Sequence, residues 1–174
     1  MSTPTRLSVV VPALNEAAVI AATLRPLAPW RRLGHEVIVV DGGSADATPA
    51  LAAPLADRVL AAPRGRARQM NAGAAASTGD VLLFLHADTR LPDGALDALR
   101  AAVERGARWG RFDVRIAGRS RWLAVVAALM NLRSRLTGIA TGDQAIFVER
   151  AAFDAVGGFP DQPLMEDVEL SRRL

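Results

Sequence analysis

The 174-residue sequence contains no cysteine and no lysine, and only two histidines, His35 and His86. Without cysteine, disulfides, thiolate zinc sites and cysteine nucleophiles are excluded. Without lysine, a phosphate-binding P-loop and Schiff-base chemistry are excluded. Two histidines do not build a multi-histidine metal cage. Aromatic residues make up only 5% of the chain and much of the apolar share is alanine, so the core must rest on Val, Leu, Ile and the few aromatics. Long apolar runs are missing as well. Leu7–Leu14 is broken by Pro12, and Trp122–Met130 falls short of the roughly 18–20 residues that span a bilayer. With no signal-peptide pattern, a cytoplasmic protein is expected.

What remains is an ordinary globular composition. Hydrophobic residues make up 51% and charged residues 22%, with 21 basic against 18 acidic residues and a net charge of +3. The sequence pI near 11.0 reflects the high pKa of arginine, so a nucleic-acid partner is not expected. The length suits one domain, residues 1–174.

Strand-like and helix-like stretches alternate. Leu7–Val11, Glu36–Val40, Arg58–Ala61 and Val81–Leu85 read as strands, the first bounded by Pro12. Asn15 is placed to cap a helix carrying Ile20, Leu24 and Leu27 on one face. Arg66–Ala76 reads as a helix, and so does a stretch opened by Pro92 with Leu96, Leu99 and Val103 in line. Further on, Trp109–Ile116 alternates like a strand and Ser120–Leu136 reads as a helix. Ala145–Val148 is a strand, Ala151–Val156 a short helix, and a last helix starts near Glu166. This order predicts an α/β fold with a mostly parallel sheet.

The chemistry gathers just after the strands. Asn15-Glu16 follows the first, Asp41-Gly-Gly-Ser44 the second, and His86-Ala87-Asp88 the fourth. Ligands of open α/β sheets bind at these carboxyl ends. No G-x-G-x-x-G follows the first strand, so a dinucleotide fingerprint is absent. Asn15 and Asp46 are equally read as plain helix caps. Asp41 can accept from a base or ribose, with Gly42-Gly43 letting backbone approach a ligand. Asp88 suits a divalent cation shared with phosphate oxygens. His86 is a second ligand, a donor to phosphate, or a structural histidine. Arg66, Gln69 and Gly73 share one helix face, and arginine suits phosphate, whereas Arg64 and Arg68 read as a solvated face. Glu166-Asp167 opens the last helix, where the dipole alone favours acids.

Val9–Glu16, Val40–Thr48, His86–Asp88 and Glu166-Asp167, in that order, make the chain resemble family-two glycosyltransferases of the GT-A (nucleotide-diphospho-sugar transferase) fold. Arg66–Gly73, Gly110–Asp113, Thr141–Phe147 and Pro163–Leu170 are most similar to the bacterial arsenosugar-biosynthesis, or radical-SAM/selenodomain-associated, group. The resemblance implies that Pro12, Ala13, Asn15, Glu16, Asp41 and Gly43 hold the nucleotide, with Arg66 and Gln69 near base or diphosphate. It implies that Asp88, with His86 where many relatives have an acid, holds Mg²⁺ or Mn²⁺. It implies that Gly142, Asp143, Gln144 and Asp88 face sugar or acceptor. Asp167 would be the base, supported by Glu166. Against the family pattern the chain is expected to be short at its C-terminal end.

The resemblance implies inverting transfer from a nucleoside-diphosphate sugar, by default a UDP-sugar, to the hydroxyl of a small-molecule or lipid acceptor. Two other readings stay open. A sugar-phosphate nucleotidyltransferase shares related architecture but relies on lysines this chain lacks. A truncated or degenerate domain would bind nucleotide-sugar without turnover. Arg119–Arg135 sets Trp122, Leu123, Val126, Leu129 and Met130 beside arginines, which suits either peripheral contact with the inner face of the cell membrane or a helix covering the sheet.

Overall fold

A computed structural model describes residues 5–118 and 120–174, so Arg119 at the head of the arginine-rich segment lies outside the described residues. Six strands form one sheet in the order β3-β2-β1-β4-β6-β5. They are β1 (Leu7–Ala13), β2 (Glu36–Asp41), β3 (Arg58–Ala61), β4 (Val81–Phe84), β5 (Trp109–Gly110) and β6 (Ile146–Glu149). β1 to β4 are mutually parallel, whereas β6 runs antiparallel to both β4 and β5. The helices are α1 (Ile20–Leu24), α2 (Ala28–Arg32), α3 (Thr48–Ala52), α4 (Arg66–Ala76), α5 (Ala95–Glu104), α6 (Arg121–Thr137), α7 (Arg150–Ala155) and α8 (Glu166–Arg173). Among the described residues no helix is long and apolar enough to cross a membrane.

The central strands are apolar at nearly every position because both faces are covered. Leu7, Val9, Val11, Val37, Val39 and Leu83 pack toward α1, Trp30 and the Leu96–Leu99 face of α5. Val10, Ile38, Val40, Leu82 and Phe84 pack on the other side, toward α4, α7 and Leu170 of α8. There the Phe84 ring meets Phe153 at 5.2 Å and Phe159 edge-on at 4.7 Å. The result is a helix–sheet–helix sandwich.

Four sequence expectations need correction. Pro12 does not end β1, which continues to Ala13. The carbonyl of Val10 accepts from Leu85 N on the β4 side, so Pro12, two residues on, faces that side past the last β1–β4 pair. Its missing N–H therefore costs no ladder bond. Asn15 caps nothing. α1 starts five residues later, with no side-chain cap. Pro92 lies outside α5, which begins at Ala95 behind the left-handed Gly94, although the carbonyl of Pro92 accepts from Ala95 N. The Trp109–Ile116 alternation yields only a two-residue strand. Beyond Gly110 one more backbone bond, from Phe112 N to Gln144 O at 2.7 Å, follows, and the segment then pairs with helix side chains. Asn131 of α6 accepts from Val114 N at 2.9 Å and donates to Val114 O at 3.0 Å, and Arg111 donates to Ser134.

Burial holds both histidines below their ordinary pKa, and His35 is the one bonded to the sheet. Nδ1 of buried His35 accepts from Leu7 N at 3.1 Å, at the first residue of β1. Burial, then the Arg100 and Arg6 guanidinium groups, hold its pKa below the ordinary 6.5. The folded protein therefore keeps His35 neutral where the unfolded chain protonates it. Its contribution is complete above about pH 7 and falls as pH drops through 6.5 toward the folded value. Urea midpoints between pH 5 and 8 should fall on the acid side, and His35→Gln should make that limb shallower, the rest belonging to His86, whose pKa burial also lowers. A limb unchanged by the substitution would assign the acid sensitivity elsewhere.

Candidate active site

The chain leaves β1 toward β2 and β3 on one side and reaches β4 on the other, so the strand order reverses between β1 and β4. In an open α/β sheet the crevice beyond the carboxyl ends at such a point takes the ligand. Here Pro12–Glu16 follows β1 and His86–Asp88 follows β4. A cavity of about 400 Å³ opens between them, lined by Pro12, Ala13, Glu16, Arg64, Arg66, Gln69, His86 and Asp88. A second cavity of about 680 Å³ lies beside it, walled by Asp88–Pro92, Phe112–Ala117 and Asp143–Ala145. Asp88 lines both, so the two spaces meet at this exposed carboxylate.

Much of the motif chemistry goes into building the rim. Asn15 has a left-handed backbone (φ 56°), its N–H donates to Ser44 Oγ, and its Oδ1 accepts from Ala45 N, both at 2.8 Å. Asp46 accepts from Ala17 N and from Thr48 N, closing a turn ahead of α3. The loops after β1 and β2 are therefore stitched into one surface. Asp41 is buried, and its Oδ2 accepts from the amides of Gly43 and Ser44 at 3.0 Å while Oδ1 accepts from Ser44 Oγ at 2.5 Å. Gln69 is 2% exposed, and its Nε2 donates to both Ala13 O and Val40 O at 2.8 Å. It pins the ends of β1 and β2 together while forming part of the cavity floor.

The acids around the cavity repel one another. Burial raises the Glu16 pKa above the ordinary 4.5, and the charges of Asp88 and Asp46 raise it further. Arg66, about half exposed, places Nε 3.3 Å from Oε1 of Glu166, which is buried and leaves its Oε2 without a partner. Burial lowers the His86 pKa, Arg66 lowers it further, and nearby Asp88, Asp167 and Asp143 partly oppose this. The ring is thus neutral at pH 7, and its buried Nε2 has no hydrogen-bond partner.

Asp167, from the far end of the chain, lies next to this crevice without lining either cavity, as do Gly142 and Glu166. Oδ2 of Asp167 accepts from Gly142 N at 2.6 Å, across the 3₁₀ turn Gly142–Gln144. The turn must start with glycine, because a Cβ at residue 142 would overlap the His86 ring. His86, Gly142 and Asp167 therefore form one packed column between β4 and α8. Asp143 lines the larger cavity. Gln144, 1% exposed, accepts from Thr141 N and contacts Asn131, so its amide serves the turn although it also borders that cavity.

Arg64 reads in the sequence as part of a solvated face, and although exposed it lines the smaller cavity, as does Pro163 ahead of α8. The available signal was Gly65, which lets the chain turn into α4 with Arg64 facing the crevice. Arg68 is solvated as expected and pairs with Asp161 at 2.9 Å.

Among the described residues no three His, Asp or Glu side chains form a ready-made metal cage. The donors at the crevice still fit a divalent ion completed by phosphate oxygens. They comprise an exposed carboxylate, Asp88, and a neutral imidazole whose Nε2 is unused.

Carboxylates and arginines thus converge at the switch point of a mostly parallel sheet flanked by helices, which defines an α/β protein with its candidate site at the carboxyl ends of β1 and β4. The family model described as glycosyl transferase family 2 matches residues 8–151, and the chain belongs to that family. It is 31% identical to a β-monoglucosyldiacylglycerol synthase of Synechocystis sp., over 94% of this chain and 39% of that protein. It superposes with TM-score 0.75 and 26% identity on a Pyrobaculum calidifontis mannosyltransferase in complex with GDP-Man and Mn²⁺, covering 99% of this chain and 51% of that one. Glucosyl-3-phosphoglycerate synthase of Mycobacterium tuberculosis, solved with Mn²⁺, UDP and glucosyl-3-phosphoglycerate, shares the fold at TM-score 0.71 and 23% identity, over 95% and 63% of the two chains. The architecture is thus the GT-A fold. The chain spans about two-fifths of the length of the Synechocystis relative.

Proposed function

We propose that the protein is an inverting glycosyltransferase moving a sugar from a nucleoside-diphosphate sugar, UDP-linked by preference, to an acceptor hydroxyl. The observation carrying this reading is the meeting of two cavities at Asp88, one flanked by Arg64 and Arg66 and the other by Asp143, with Asp167 held beside them by Gly142. The smaller cavity takes the nucleoside diphosphate, with Pro12, Ala13 and Glu16 in its lining and Asn15, Asp41 and Gly43 in the loops that continue from it. The larger one takes sugar and acceptor. Similarity to relatives crystallised with nucleotide and Mn²⁺ supports this reading.

Asp167 takes the acceptor proton as the acceptor oxygen bonds to the anomeric carbon. The bond from that carbon to the diphosphate breaks and leaves its electron pair on the phosphate oxygen. Gly142 N–H fixes Oδ2 of the base, and Arg64 and Arg66 lie where negative charge develops on the leaving group. A bound Mg²⁺ or Mn²⁺, held by Asp88 with His86, would supply further neutralisation of the diphosphate. Glu166 keeps Arg66 in place. The stretches Arg66–Gly73, Thr141–Phe147 and Pro163–Leu170 support placing the chain with the arsenosugar-biosynthesis group inside the family.

A thermal-shift screen of UDP, GDP and their sugars, with and without Mn²⁺ or Mg²⁺, tests the donor site. At 100 times Kd the melting temperature should rise by about 5–10 °C. The rise should be larger with metal, and Asp88→Ala should remove the metal increment. No shift with any nucleotide under either metal would refute the reading.

A further inference from the structure

Helix α6 carries an apolar face that the fold does not cover. Trp122, Val125, Val126, Leu129, Leu132 and Leu136 are all exposed, Trp122 at 75% and Leu136 at 77%. At about 100° per residue they share an arc of about 120°. The opposite side is the packed one. Ala127 and Ser134 are buried, and Asn131 holds the 111–117 segment. The apolar arc thus faces outward along about 25 Å of helix.

The charge carried by this helix and its flanks between residues 114 and 142 is of one sign. Between Asp113 and Asp143 there is no acidic residue, whereas five arginines stand at 115, 119, 121, 133 and 135. Arg135 pairs with Asp113. Among the described residues Arg115, Arg121 and Arg133 make no ion pair, and all three are exposed. Arg133 lies inside the apolar arc and Arg121 at its edge. An apolar stripe with a terminal tryptophan, carrying one free arginine within it and one at its edge whose long side chains reach outward to the interface, is complementary to anionic headgroups above acyl chains. It is a poor match for a second copy of itself, because a two-fold pairing would bring the same arginines together.

We propose that α6 is an in-plane anchor that docks the protein on an anionic lipid bilayer. Trp122, Leu129 and Leu136 enter the acyl boundary, and Arg121 and Arg133 meet the headgroups. The segment 112–117 beneath α6 is also a wall of the larger cavity, so docking brings that cavity to the membrane surface. The anchor does not depend on the transfer reaction, since binding is read without donor or acceptor.

The test is co-sedimentation of the 174-residue protein with vesicles of equimolar phosphatidylglycerol and phosphatidylcholine, compared with pure phosphatidylcholine. Binding to the anionic vesicles, weakened by raised salt, is expected. The pair Trp122→Ser with Leu129→Ser should lower the partition coefficient at least about tenfold. Arg133→Gln should lower it about fivefold. Leu33→Ser, at an exposed leucine on another face, should leave it unchanged. Because all four side chains are exposed, melting temperatures should stay near the parent value and certify folding. No binding, or binding equal on neutral vesicles and insensitive to these substitutions, overturns the proposal. So does a dimer in sedimentation velocity that Trp122→Ser with Leu129→Ser dissolves, in the absence of vesicle binding. A failure of nucleotide binding would touch the proposed reaction and leave the vesicle result standing.

Discussion

Asp167→Asn lowers turnover by about 10²–10⁴-fold, the usual worth of a positioned general base, and leaves nucleotide affinity unchanged. The amide keeps one oxygen to accept from Gly142 N, which holds the 3₁₀ turn and the His86 packing, and gives up the bond that Oδ1 accepts from Val168 N at 2.7 Å. What it loses is the ability to take a proton. The loss should fall on kcat, since the carboxylate is needed as the acceptor oxygen attacks. UDP release from a UDP-sugar, measured beside the thermal shift with UDP, separates the two effects. Near-normal turnover would show that another group is the base. Loss of nucleotide binding as well would show that Asp167 belongs to the donor site.

Gly79→Ala should destabilise the protein by about 3 kcal/mol, at the upper end of overpacking effects. Its melting temperature should fall by about 6–12 °C. A Cβ there would lie 2.7 Å from Ser8 N and 2.8 Å from Leu7 C. Those are backbone atoms of the central strand β1 and cannot rotate aside. The amide of Gly79 also donates to buried Ser8 Oγ, itself bonded to Glu36 Oε1 at 2.6 Å, so a shift would disturb a connected network. Gly34→Ala is the comparison. Gly34 has φ 88° and open space around its Cβ position, so it should cost only the left-handed backbone penalty, about 1 kcal/mol. Equal melting temperatures for the two variants would refute the packing argument.

These two glycines show where a linear reading stops. Gly34, Gly79 and Gly142 look alike as letters. Gly79 and Gly142 are obligatory because other parts of the chain, Ser8 and His86, approach them closely. Local pattern, by contrast, located most elements. The runs Arg58–Ala61 and Arg66–Ala76 coincide with β3 and α4, because apolar periodicity and turn residues act over a few neighbours. Trp109–Ile116 misled for the complementary reason. Alternation marks a segment able to pair, but the partner was Asn131 on α6 rather than another strand.

The candidate site divides in the same way. Asp88, Glu166 and Asp167 stand out in the sequence because acids placed after apolar strands or at a helix start are unusual and positional. Asp41 stands out equally, yet its carboxylate is spent on Gly43 and Ser44. The duties of Asn15 and Gln69 were not legible. Both look like ligand-binding residues, and both have side chains spent on backbone groups from another segment, Ala45 for one and Ala13 with Val40 for the other.

By itself the sequence determined the α/β class, the missing lysine and cysteine chemistry, and the set of acids and arginines available for a phosphorylated ligand. These depend on composition and on interactions a few residues long. Only the tertiary structure decided that His86, Gly142 and Asp167 share one column, that Arg64 reaches the cavity, and that the apolar face of α6 is left outside. Those outcomes depend on distances between residues far apart in the chain, which arise only when the sheet assembles and the helices take their sides.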